Sequence, residues 1–78
     1  MKVLEFNAIT FGPAIVKLRK ELGLNQQEFA KRAHISMCSV VNYENGISLP
    51  RLDSLIDMAR VLGIDEIRID TSRAAKWK

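Results

Sequence analysis

Residues 23 to 46, GLNQQEFAKRAHISMCSVVNYENG, hold two short helical patterns joined by a turn that leaves the chain little freedom. Gln26, Phe29, Ala30, Ile35, Val40, Tyr43 and Gly46 fix the arrangement. Phe29, Val40 and Tyr43 supply apolar knobs between the two helices. Ala30 is small enough for the second helix to cross close by, and Ile35 plugs the turn. Two helices joined through about three to four residues cross steeply. One face of the second helix then stays outside, where it suits the major groove of DNA.

Around this pair the sequence predicts a mainly α fold. Residues 2 to 6, Lys-Val-Leu-Glu-Phe, read as a short strand or an extended arm. Thr10 is the candidate N-cap of a first helix, with Pro13 in its first turn, where backbone N–H groups lack an intrahelical partner. Ile15, Leu18 and Leu22 recur at helical spacing, and Gly23 ends that helix. Asn25 caps the second helix, Glu28 is placed to complete a capping box, and the helix runs to Arg32 or Ala33. Ser36 caps the third, which stops at Asn45-Gly46. Pro50 introduces the fourth, whose apolar stripe is Leu52, Leu55, Ile56, Ala59 and Leu62, closed by Gly63. Beyond it Ile67 and Ile69 alternate with charged residues, which favours a strand over about 66–70. The expected division is an arm or strand over 1–10, a helical DNA-binding domain over 11–64, a dimerisation strand or short helix over 65–72, and a basic tail over 73–78.

Seventy-eight residues allow one small domain. Such a chain buries only about 60–65% of its unfolded surface, so a second subunit would add stability. The net charge is +3, but Arg73, Lys76 and Lys78 all stand in the last six positions, and the first 72 residues balance nine basic against nine acidic. The basic pI therefore owes much to a tail and does not by itself establish nucleic-acid binding. No apolar run reaches the roughly 20 residues of a membrane span. Glu5 comes too early for a secretory signal, and a single cysteine, Cys38, excludes an internal disulfide and any multi-cysteine metal site. The expected compartment is the cytoplasm. With no Ser-His-Asp set, glycine-rich phosphate loop or matched carboxylates, no catalytic residue, metal or cofactor is expected. Cys38 has no resolving partner for redox sensing.

The motif set resembles the lambda-repressor-like (Cro/C1, XRE-type) family of helix-turn-helix DNA-binding proteins. The resemblance runs without a gap through Phe11-Gly12, Leu18-Arg19, Gly23-Leu24-Asn25-Gln26, Ala30, Glu44-Asn45-Gly46 and Pro50 to Leu62-Gly63. It implies a compact fold of four to five helices, a fifth helix being usual where this chain shows its period-two pattern. It also implies phosphate contacts from Gln26 at the first turn of helix 2, with Asn25, Asn45 and Arg51 alongside. Base contacts fall to Met37, Cys38, Val41 and Asn42. An amide such as that of Asn42 suits adenine, while Met37, Cys38 and Val41 pack on thymine methyls, which implies an A·T-leaning operator. The same apolar face would also suit a protein partner. Arg19 and Glu44 are expected to pair and brace the reading helix. His34 stands where the family usually has glycine, in a position that favours a left-handed backbone.

The function so implied is sequence-specific regulation of transcription by a homodimeric repressor on a palindromic site in double-stranded DNA. Ile64, Ile67 and Ile69 form the expected dimer surface, covered by a symmetry mate or by Val3 and Leu4 of an N-terminal strand. The alternative is a HipB-like antitoxin. The ending PRLDSLIDMARVLGIDEIRID is similar to the helix-then-strand ending of those proteins, which also sequester a toxin kinase. A toxin gene beside this one would separate the two.

Overall fold

The computed structural model describes residues 1–71, so the basic tail expected over 73–78 lies outside the described residues. The chain runs through β1 (Val3–Asn7), α1 (Phe11–Glu21), α2 (Gln26–Ala33), α3 (Met37–Glu44), α4 (Leu52–Leu62) and β2 (Glu66–Asp70).

Local chemistry sets most of these boundaries. Asn25 accepts the Glu28 N–H at 2.7 Å while the Glu28 carboxylate accepts the Asn25 N–H at 2.9 Å, a complete capping box. Ser36 caps α3 by accepting the Ser39 N–H. Thr10 does not cap α1 through its hydroxyl, contrary to the sequence expectation. Its backbone is already helical (φ −100°, ψ −3°), and the Asn7 side chain takes over by accepting the Ile9 N–H at 2.8 Å.

All four helices end on one device, α3 at Gly46 with the Ile47 N–H donating to the Asn42 carbonyl, and in the other three the apolar residue that follows also returns to the core. A left-handed residue (Gly23 after α1, His34 after α2, Gly63 after α4) lets the next N–H reach back to the helix. Leu24, Ile35 and Ile64 donate to the carbonyls of Arg19, Ala30 and Ala59. Each of these donors is apolar, and each side chain is carried back into or against the core. The φ of +57° at His34 is the conformation the turn requires.

The core lies where the four helices meet. Phe11, Ile15, Phe29, Ala33 and Val40 are fully buried, with Leu55, Met58 and Leu62 of α4 beneath them. Gly12 lets α1 cross the end of α3 closely: a Cβ there would lie 2.6 Å from the Glu44 carbonyl oxygen. The buried arc of α4 is Leu55, Met58, Ala59 and Leu62; Leu52 (66% exposed) and Ile56 (44%) do not join it. They project to one side of that arc, so the stripe predicted from spacing was too wide, and Met58 replaces them inside.

The two strands form a parallel pair in the register Val3↔Glu66 to Asn7↔Asp70. Residues 65–72 therefore contain a strand, not the alternative short helix. Paired residues of a parallel ladder share a face, so Leu4, Phe6, Ile67 and Ile69 look one way and Glu5, Glu66, Arg68 and Asp70 the other. Leu4, 3% exposed, enters the core, and Phe6 meets Phe11 edge-to-face at 4.8 Å. Lys2 pins the start of the sheet. Its carbonyl accepts the Asp65 N–H at 2.8 Å, and its own N–H donates to the Asp65 carboxylate.

Candidate nucleic-acid interface

The capped start of α3 and the packing of Val40 against the core decide which side of this helix faces out. Val40 is fully buried and Tyr43 partly so, which turns Met37 (47% exposed) and Cys38 outward. Val41 and Asn42 lie half-buried on the flank of that outer face. The Asn42 amide lies 3.9 Å from the Cys38 sulfur one turn back, a weak contact that leaves it capable of pairing elsewhere. All four residues expected to meet bases thus share one side of one helix.

Behind that side sits the best-formed polar cluster among the described residues. Arg19 donates Nε to Glu44 Oε2 at 2.6 Å and Nη2 to Oε1 at 3.1 Å, a bidentate pair with side chains only 9% and 4% exposed. Its remaining Nη1 donates to the Leu24 carbonyl at 2.9 Å. Gln26 Nε2 donates to Glu44 Oε1 at 2.9 Å. One carboxylate at the end of α3 is thereby tied to α1, through Arg19, and to the first residue of α2. The pair was legible in the sequence; the part played by Gln26 was not, because no local pattern announces a contact across eighteen positions. A primary amide has two N–H donors. The one donated to Glu44 orients the Gln26 side chain.

The residues expected to hold phosphate divide into two kinds. Asn25 is committed by its oxygen to the capping box, while Asn45 and Arg51 are exposed. Arg51 occupies the N-cap position of α4 without a side-chain capping bond. α3 contains no basic residue, and its one acid is neutralised internally. Cationic side chains stand instead on other elements, of which α2 carries exposed Lys31 and Arg32 in its last turn.

Ile64 and Ile67 pack half-buried against the chain's own core, whereas Ile69 is 64% exposed. Among the described residues no cluster of His, Cys, Asp and Glu is arranged to hold a metal ion, and no helix is long and apolar enough to cross a membrane.

Two helices joined by the short turn His34-Ile35-Ser36, the second braced from behind, define the helix-turn-helix class. The comparison with known families agrees: the helix-turn-helix family model matches residues 15–69. The chain belongs to that family in its Cro/C1 (XRE) form, a family of DNA-binding regulators and not of enzymes. Over 53 residues it is 43% identical to a candidate multi-protein-binding factor 1 of Yarrowia lipolytica, covering 68% of this chain and 35% of the relative. The chain thus spans little more than a third of that relative's length. β1 lies ahead of the matched region.

Proposed function

We propose that this chain is a sequence-specific, dimeric transcriptional repressor of the cytoplasm that reads a palindromic operator with α3. The observation that carries the reading is the outward side of Met37, Cys38, Val41 and Asn42, braced from behind by Arg19, Glu44 and Gln26. Asn42 pairs with adenine N6 and N7, and the apolar three contact thymine methyls. Gln26, Asn25, Asn45 and Arg51 hold phosphates and set the register without reading sequence. Two half-sites about 34 Å apart require a second copy in fixed orientation, and Ile64, Ile67 and Ile69 supply its surface.

Selection from random duplexes, followed by titration of the enriched site against a scrambled one at fixed salt, tests this. An A·T-leaning site with two-fold symmetry is expected, bound at least about 1,000-fold more tightly than the scramble. Equal affinity for all duplexes would rule the reading out.

The helix-then-strand ending, α4 followed by β2, favours a second reading as a HipB-like antitoxin that neutralises a toxin protein and autoregulates its operon. The exposed shoulder of Leu52 and Ile56 would then meet that protein. Failure to bind or neutralise the product of any adjacent toxin-like gene removes this alternative.

A further inference from the structure

We infer that the outward side of α3, extended by Ile47, also docks protein, and that its partner is an acidic amphipathic helix. Protein and DNA then compete for one side of one helix. Only that competition rests on the DNA reading above.

Ile47 is the observation that DNA reading leaves unused. After α1, α2 and α4 the apolar residue beyond the left-handed position turns its side chain to the core. After α3 the Ile47 N–H makes the same return bond, to the Asn42 carbonyl at 2.9 Å, yet its side chain is 69% exposed. The bond fixes the Ile47 backbone beside that of Asn42, so the apolar row of Met37, Cys38 and Val41 continues into the loop. An isoleucine held in water forgoes the free energy of burial. Phosphate offers it nothing to pack on. Asn45 and Arg51, which flank it in the same loop, are the residues suited to phosphate. Contiguous exposed apolar surface marks a protein contact.

Charge selects the partner. α3 has no basic residue and no acid in its first turn, and its one acid, Glu44, is held by Arg19 and Gln26. The strip itself is therefore uncharged. Cations stand beyond both of its ends: Lys31 and Arg32 in the last turn of α2, and Arg51 after the loop, all exposed. The first turn of α3 adds the positive end of its helix dipole. Neighbouring acids are turned to backbone, Glu28 to the Asn25 N–H and Asp53 to the Ser54 N–H. An apolar centre with cations at either end complements a helix whose apolar residues line one side and whose acids border it. A basic helix would bring like charge to Lys31, Arg32 and Arg51.

The probe is a fluorescein-labelled peptide of about four helical turns, with leucines at i, i+3, i+4 and i+7 spacing and glutamates elsewhere. It is titrated with the full chain and read by fluorescence anisotropy. Saturable binding is expected. A peptide with glutamine for glutamate, and one with the same composition but no shared leucine side, should each bind about tenfold more weakly. Ile47→Ser should weaken the glutamate peptide about tenfold and leave affinity for the selected operator unchanged, with helical content checked by circular dichroism. Unlabelled operator should displace the peptide. Absence of saturable binding, or equal binding of the glutamine or rearranged peptide, overturns the chemistry assigned to the partner. Wild-type affinity in Ile47→Ser overturns the surface, and peptide and duplex bound together overturn the competition. In sedimentation without peptide, Ile47→Ser should not alter the size of the wild-type species; a shift to a smaller one gives the strip to a second copy and overturns the inference. The direct titration contains no duplex, so its result stands whether or not the chain reads an operator.

Discussion

At the residue scale, Glu44 carries more of the architecture than any exposed side chain. It joins α3 to Arg19 and Gln26 in a nearly dry site. Glu44→Ala strands the Arg19 guanidinium, and removing one partner of a buried pair costs about 3–5 kcal/mol. That is a large part of the roughly 5–15 kcal/mol that keeps a domain folded. Replacing both partners by apolar residues, Arg19→Met with Glu44→Leu, should cost clearly less than the single change. Urea denaturation of the three proteins checks this, and an equal loss in the double variant would show that the pair is net stabilising. Gly12 is constrained by space instead of charge. Gly12→Ala places a methyl against the Glu44 and Tyr43 carbonyl oxygens and should cost about 1–3 kcal/mol as α1 is pushed from α3. A thermal midpoint within one degree of wild type would contradict this crossing geometry.

At the scale of elements, the mini-sheet ties β1 to β2. Leu4 reaches the core from β1 whereas Val3, its neighbour, looks outward at 39% exposure. Leu4→Ala should therefore lose about 2–4 kcal/mol and Val3→Ala well under 1 kcal/mol; similar losses at the two positions would mean that β1 does not pack as described. The helices were legible because their signals are local: Asn25 with Glu28, Ser36, and a glycine or His34 where each helix must turn back. The strand over 66–70 was legible from the alternation of Ile67 and Ile69. Its partner was not. A parallel pairing of residues sixty-three positions apart leaves no periodic trace, and both a symmetry mate and the N-terminal strand satisfied the pattern. The stripe of α4 was misread at Leu52 and Ile56 for a related reason. Spacing shows which residues share a side of a helix, not how far the neighbouring elements extend to cover it. In the interface, the ion pair could be anticipated, while the Gln26 contact depends on tertiary approach.

At the scale of the molecule, two functions are separated in space. The outward side of α3 presents three apolar residues and one amide, a surface without charge of its own. In the proposed reading, affinity comes from cations and backbone amides on neighbouring elements, and specificity from α3. This division of labour, phosphate contacts for position and base contacts for sequence, is the central claim. Gln26→Ala and Asn42→Ala should accordingly fail in different ways when titrated at one salt concentration against a panel in which each base pair of the selected operator is changed in turn. Gln26→Ala should weaken every duplex by a similar factor, about tenfold, as expected for a lost hydrogen bond to a charged group. Asn42→Ala should erase about 1–3 kcal/mol of discrimination at one base pair of each half-site and leave the other positions ranked as before. An Asn42→Ala protein that keeps its full preference at every base pair would contradict the assignment of α3 as the reading helix.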